Sequence, residues 1–241
     1  MTRTMVVIGA TGAMGSALAR RLAQRGERLV LVARDAARLQ ALAAELPGSL
    51  AVPADATDAR ALGAAMAAAG PQLAGLAYCV GSIVLKPLRR TTEEDFLAAF
   101  RLNALGAALA VQAAQPALVA ARGAVVLVST VAARAGFANH AAIAAAKGAV
   151  EGLTVALAAE LAPAVRVNCI APSLTRSAMA APLIGNPQMA EALAAQHPIP
   201  RLGEGDDPAA AAAFLLSPEA GWITGQVLAV DGGRSSVRSR G

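Results

Sequence analysis

The chain is poor in aromatic side chains: its 241 residues include one Trp, one Tyr and four Phe. An interior built with so few rings must be filled by Ala, Val, Leu and Ile, which suits helices lying close on a sheet. Few rings also means little on which to stack bases. The +5 net charge is scattered along the chain, apart from Arg234, Arg238 and Arg240 in the C-terminal tail. Nucleic-acid binding needs a clustered basic footprint, so it is not expected. The two cysteines, Cys79 and Cys169, sit in separate apolar runs without metal-ligand spacing, and no metal site is expected. No run of about 18 strongly apolar residues occurs. The nearest stretch, Leu102 to Ala121, carries Asn103, Gln112, Gln115 and Pro116 and reads as a buried helix rather than a membrane span. Only four residues precede the apolar run Met5–Ile8, too few for a signal peptide. A cytoplasmic setting is expected.

What is present is a regular alternation. The length suits one large domain with a well-buried core. Seven apolar runs read as buried strands: Met5–Ile8, Leu29–Ala33, Leu50–Val52, Leu73–Val80, Ala124–Val128, Val165–Ala171 and Gln226–Val230. Between them lie Ala- and Leu-rich stretches of helical length, such as Ala36–Leu46, Asp58–Ala69, Glu93–Ala121 and Ala141–Leu161. Strands apolar on both faces, alternating with helices, predict a parallel sheet covered on both sides. The expected fold is an α/β, Rossmann-like doubly wound sheet of about seven strands. Residues 1–241 form a single domain in this reading, with residues 234–241 as a flexible tail. An eight-stranded barrel would need another strand. Thr91 and Glu94 have the spacing of a capping box ahead of the helix from Glu93.

After the first strand comes Gly9-Ala10-Thr11-Gly12-Ala13-Met14-Gly15, then a helical stretch to about Gln24. The order strand, glycine turn, helix makes the spacing meaningful. Gly9 permits the tight turn, Gly12 lets backbone approach a pyrophosphate, and Gly15 lets the helix pack on the strand. Free N–H groups and the positive end of the helix dipole would face the phosphates. A fold of this kind that binds NAD places an acid at the end of the second strand, about 20 residues beyond the glycines. Here that place reads Val32-Ala33-Arg34. Arg34 can pair with the 2′-phosphate of NADP(H) as a forked donor, or be a solvated surface arginine. Asp35 is expected to cap the next helix. NADP(H) is favoured over NAD(H).

At this point the chain resembles the short-chain dehydrogenase/reductase family, from about residue 5 to residue 233. Asp55-Ala56 after the third strand is similar to the family's adenine-contacting pair. Tyr78-Cys79-Val80-Gly81 stands where the family has Asn-Asn-Ala-Gly and keeps only the glycine. Asn103, followed by Gly106, matches the helix asparagine of the catalytic tetrad. Val165 to Pro172 resembles the sixth strand and its proline, and Trp222 to Gly233 the C-terminal strand. The resemblance implies a cofactor site made by Gly9, Thr11, Gly12, Met14, Gly15, Arg34, Asp55, Ala56, Val80, Gly81, Lys147 and Pro172. Leu174 and Ser177 would meet the nicotinamide carboxamide.

The family's catalytic pattern is a serine, a tyrosine thirteen residues on, and a lysine four further. Counted back from Lys147, the tyrosine position holds Ile143 and the serine position Thr130. The chain's only tyrosine, Tyr78, belongs to another loop, so the usual proton donor is absent. Lys147 would hold the nicotinamide ribose, or be an exposed helix lysine. Thr130 can hydrogen-bond a substrate oxygen, with Ser129 as the alternative after a one-residue slip. Asn103 would organise water or helix geometry. His140 lies three residues before Ile143, one turn away on a helix. It can supply acid–base chemistry directly or through water, or simply precede the helix. His197, in His-Pro-Ile-Pro, reads as structural. Leu174 to Pro200, which covers the substrate in this family, carries only Arg176 and Glu191 as charges, and a neutral or apolar small molecule is expected.

Three readings follow: an NADP(H)-dependent oxidoreductase on a carbonyl/hydroxyl pair, a catalytically silent NADP(H)-binding partner or sensor, and a lyase or isomerase on the same fold. The Ala-rich helices Leu102–Ala121 and Ala141–Leu161 resemble those that pair subunits in the family, so a homodimer or homotetramer is expected.

Overall fold

In a computed structural model, residues 2–238 are described. Seven strands form one parallel sheet: β1 (Thr4–Ile8), β2 (Arg28–Ala33), β3 (Leu50–Pro53), β4 (Gly75–Tyr78), β5 (Ala124–Val128), β6 (Arg166–Pro172) and β7 (Val227–Val230). Their order is β3-β2-β1-β4-β5-β6-β7, an open doubly wound sheet and not a barrel. The chain winds outward from β1 through β2 to β3, then returns to lay β4 on the other side of β1. Ile8 therefore pairs with Val32 on one flank and Tyr78 on the other. The crevice at that reversal, outside the carboxyl ends of the strands, is where such sheets bind ligands.

The strands read as apolar throughout because both faces are covered. On one face Val6, Ile8, Val30, Val32 and Leu76 pack with α3 (Ala59–Ala69), α5 (Gly106–Ala121) and α7 (Ala141–Leu161). On the other, Met5, Val7, Leu29, Leu31 and Val126 pack with α1 (Ala13–Gln24), α2 (Ala36–Glu45) and α10 (Asp206–Leu216). Alternate residues of one strand thus belong to different layers, as the pleat requires.

Several expectations are corrected. The stretch Leu73–Val80 yields only four residues of strand, and the backbone after Tyr78 is free to line the crevice. Glu93–Ala121 is not one regular helix. It is α4 (Glu93–Phe100) and α5 joined by a π-turn at Arg101–Leu105. The capping box sits one residue later than expected: Thr92 accepts from the Asp95 N–H, and the Asp95 carboxylate accepts from the Thr92 N–H. Thr91 instead donates to the Pro87 carbonyl. Asp35 caps α2 as expected, accepting from the Arg38 N–H at 3.0 Å. Past β6, α8 (Ala181–Ile184) and α9 (Pro187–Ala194) lie in the segment over the crevice. By length and composition, Glu93–Ala121 and Ala141–Leu161 could each cross a membrane; here both pack on the sheet.

Candidate active site

Gly9 follows β1 with φ of +82°, a left-handed conformation that glycine adopts without strain. A Cβ there would also lie 2.9 Å from the Cys79 carbonyl carbon of the neighbouring strand end. At Gly15 a Cβ would come within 2.2 Å of the Gly9 carbonyl oxygen. Two glycines in contact thus let the first turn of α1 lie against the end of β1. No acidic residue occupies that first turn, so nothing opposes an anion at the positive end of the helix.

A cavity of about 1310 Å³ opens over this turn and runs across the carboxyl end of the sheet. Gly9, Thr11, Gly12 and Met14 line it, as do Arg34, Asp55, Ala56, Val80 and Gly81. Farther along come Thr130, His140, Ile143, Lys147, Pro172, Leu174 and Ser177. Of the candidate catalytic and cofactor-binding residues, Gly15 and Asn103 lie outside the lining. Gly15 is at the helix–strand contact, and Asn103 is fully buried behind Gly81.

Lys147 projects from α7 and is buried, not exposed. Its Nζ donates to the Val128 carbonyl at 2.7 Å. Burial pushes its ammonium down to about 8, and the nearby Cys169 and Cys79 pull the other way. Asn103 Nδ2 donates to Ala99 O at 2.8 Å and Ser82 Oγ at 3.2 Å. Its Oδ1 has no donor among the described residues although it is buried. A Cβ built on Gly81 would sit 3.4 Å from this oxygen and 3.4 Å from Lys147 Nζ. The absent side chain of Gly81 therefore leaves an ammonium and an unsatisfied acceptor at one recess of the cavity wall. Together with the glycine turn, this set of polar groups fits a dinucleotide.

The two hydroxyls after β5 separate cleanly. Ser129 is 3% exposed and donates to Glu151 Oε1 at 2.9 Å; Arg134 pairs with the same carboxylate. Thr130 Oγ1 makes only 3.3 Å contacts, with Pro172 O and Ala132 N. Ser129 is held by α7, and Thr130 has the freer hydroxyl. His140 immediately precedes α7, and its side chain does not cap the helix. Its Nδ1 lies 2.7 Å from the Ala138 carbonyl, which requires Nδ1 to carry a proton and leaves Nε2 for other partners. Ile143, one turn before Lys147, is 5% exposed. Tyr78 is 2% exposed, and its hydroxyl donates to Leu102 O at 2.7 Å.

Three features were not anticipated from the sequence. Arg38, in the first turn of α2, also lines the cavity and donates to Thr11 O at 3.0 Å. Its place just after the cap Asp35 was the available signal. Glu151, one turn after Lys147, anchors Ser129. Arg234, expected to be part of a solvated tail, is half-buried on the cavity wall with its guanidinium 4.7 Å from the centre of the Phe137 ring. Arg240, grouped with it in the sequence, lies outside the described residues.

The sheet, its switch point and the glycine turn define a dinucleotide-binding α/β protein. A family model described as enoyl-(acyl carrier protein) reductase matches residues 9–235. Galactitol 2-dehydrogenase (L-tagatose-forming) of Cereibacter sphaeroides is 38% identical, with 94% of this chain and 92% of that protein covered. A protein of Xanthobacter autotrophicus named inactive 2-(S)-hydroxypropyl-CoM dehydrogenase 2 is 37% identical over 91% of this chain and all (100%) of its own. A solved short-chain dehydrogenase/reductase from Brucella melitensis superposes with a TM-score of 0.91 at 31% identity, covering 96% of each chain. The chain belongs to the short-chain dehydrogenase/reductase family of oxidoreductases, whose members bind nicotinamide dinucleotides.

Proposed function

We propose that the protein is a cytoplasmic NADP(H)-dependent oxidoreductase that interconverts a carbonyl and a hydroxyl on a small molecule, without a tyrosine proton donor. The observation that carries this reading is one continuous cavity. It runs from Arg34 and the glycine turn, past Lys147, to Thr130, Ile143 and His140.

The dinucleotide, when bound, supplies or accepts the hydride. Arg34, with Arg38 beside it, holds the 2′-phosphate. N–H groups of the first turn of α1 bind the pyrophosphate, and Asp55 and Ala56 border the adenine. Lys147 keeps one N–H on Val128 O and offers the others to the ribose hydroxyls. Val80, Gly81 and Pro172 shape the wall, and Leu174 and Ser177 border the nicotinamide end. Thr130 donates its hydroxyl hydrogen to the substrate oxygen. His140, held through Nδ1, delivers a proton from Nε2 directly or through a water, while Asn103 Oδ1 and Lys147 steady a polar path beside Gly81. Leu174, Met179, Leu183 and Met189 give the substrate end an apolar wall, which suits a substrate with an apolar body. The chain would act as a homodimer or homotetramer.

Consumption of NADPH against a panel of aldehydes and ketones, followed by absorbance, tests the reading. Turnover of any member supports it. NADPH binding without turnover of any member would favour the silent-binder reading. Ile143 at the tyrosine position favours that alternative, as does a relative whose own name calls it inactive.

A further inference from the structure

The cationic groups lining the cavity fall into three places. Arg34 and Arg38 follow β2. Lys147 stands centrally and donates to Val128 O. Arg234 follows β7, at the opposite edge of the sheet from β3. The first two places are absorbed by the dinucleotide in the reading above. Arg234 has no part in it.

Its position is built. Asp231 accepts from the N–H groups of Gly233 at 2.9 Å and Ser235 at 2.8 Å, and from the Ser235 hydroxyl at 2.5 Å. Gly232 and Gly233 take left-handed φ values of +63° and +88°, and the resulting turn aims the next residue back toward the sheet. The guanidinium then stacks on Phe137, and one Nη donates to Gln196 Oε1. Phe137 in turn meets His140 edge-on, with ring centroids 5.5 Å apart. Arg234, Phe137 and His140 thus form one continuous wall.

Burial lowers the tendency of Arg234 to stay charged, and Asp231 partly offsets this. The Asp231 carboxylate is turned into its own loop, and no ion pair joins the two residues among those described. A guanidinium carries five N–H donors, and Gln196 takes one. Among the described residues, the only carboxylate lining the cavity is that of Asp55, after β3 at the other end. Asp231 lies close enough to act on the charge of Arg234, but among the described residues no carboxylate lines the cavity beside it or occupies its fork.

We propose that Arg234 anchors an anionic group of the substrate, so that the compound reduced is an oxo acid: a carbonyl joined through an apolar chain to a carboxylate, phosphate or sulfonate. The inference rests on the oxidoreductase reading for the carbonyl, and on Arg234 itself for the anion. It departs from the expectation of a neutral or apolar substrate, which came from Leu174–Pro200 alone. That segment does supply an apolar wall, while the charge comes from a residue after β7.

The test compares straight-chain 2-, 3-, 4- and 5-oxo acids with their methyl esters, using NADPH and the full chain. For the acids that are turned over, kcat/KM should exceed that of the matching ester by at least tenfold. Arg234→Gln, which can keep a donor on Gln196, should bring that ratio near one while sparing the esters. Arg234→Lys should retain part of the preference. A merely structural arginine would lower acids and esters together. Equal use of acids and esters by the wild type, or an unchanged ratio in Arg234→Gln, would overturn the proposal. If nothing is turned over, the oxidoreductase reading fails separately, and calorimetry with NADP⁺ present decides the anchor. Tighter binding of the acids than the esters, lost in Arg234→Gln, would uphold it, and equal binding would overturn it.

Discussion

Tyr78 donates its hydroxyl to the carbonyl oxygen of Leu102 at 2.7 Å, which ties the end of β4 to the π-turn that carries Asn103. The phenol fills the space left by Gly106, where a Cβ would lie 2.3 Å from its oxygen. Burial raises its pKa above the ordinary phenol range, and the Asp55 charge adds to the rise. The chain's only phenol is therefore structural. Tyr78→Phe should cost about 0.5–1.5 kcal/mol, the net worth of one hydrogen bond, in urea denaturation. It should leave turnover unchanged, and a hundredfold loss of turnover at native stability would contradict this assignment.

Arg34, just after β2, and Arg38, in the first turn of α2, line one end of the cavity. Arg34→Ala should weaken NADPH binding by more than tenfold, the effect of removing one charge-assisted pair of about 1.5–3 kcal/mol. NADH binding should hardly change. Titration calorimetry measures both, and equal affinity of the wild type for the two cofactors would remove the case for NADP(H).

Much of the architecture is written in local pattern. Strands apolar on both faces announce a sandwiched parallel sheet, and Gly9, Gly12 and Gly15 announce the turn between β1 and α1. What is not written locally depends on which side chain wins a shared partner. Thr91/Glu94 and Thr92/Asp95 have the same spacing, and the backbone chose the second pair. Ser129 and Thr130 are adjacent hydroxyls, and only the position of Glu151 on α7 shows which is held. The π-turn carries neither proline nor glycine, the first glycine coming at Gly106 in α5, so the helix from Glu93 reads as unbroken. Arg234 meets Phe137 through the return of β7 to the sheet, a contact between distant residues that no periodicity encodes.

The buried Lys147 sets a pH dependence whose sign can be worked out. Its folded pKa of about 8 lies below the ordinary 10.5. Between these values the unfolded chain holds a proton that the folded chain has lost, so this group's contribution to stability rises with pH across that window. At pH 7 the buried charge is a liability. Lys147→Met should therefore stabilise the apo protein at pH 7, on the order of 1–3 kcal/mol at about 1.4 kcal/mol per pKa unit. The advantage should fade toward pH 10.5, while Cys79 and Cys169 act on both proteins and largely cancel in the difference. The variant should also lose cofactor affinity. A stability difference that is flat with pH would mean that Lys147 is not desolvated in the folded state.

Leu105 and Val119 on one long helical segment, and Val155 on α7, are apolar yet 39%, 42% and 56% exposed. Small neighbours on the same helices allow close approach across a two-fold axis. Light scattering at micromolar concentration should give a mass at least twice 24.0 kDa. Replacing Val155 with Glu should shift the protein toward monomer, and a wild-type monomer would refute the assembly.

The last prediction concerns Ile143, which stands one turn before Lys147 with only a hydrocarbon side chain. If His140 supplies the missing proton, the imidazole must give up a proton in reduction and accept one in oxidation of the corresponding alcohol. His140→Ala should lower turnover by roughly 10²–10⁴, the usual worth of one acid–base group, with NADPH affinity nearly unchanged. Ile143→Tyr restores a phenol on the cavity wall one turn from Lys147, whose cation would favour the phenolate. In the His140→Ala background it should recover part of the lost rate. Two outcomes would tell against His140. Turnover in His140→Ala equal to wild type would make it a wall residue that only holds the loop to Ala138. A wild type inert toward every carbonyl, with activity gained on Ile143→Tyr alone, would show that the native site binds its cofactor without using it.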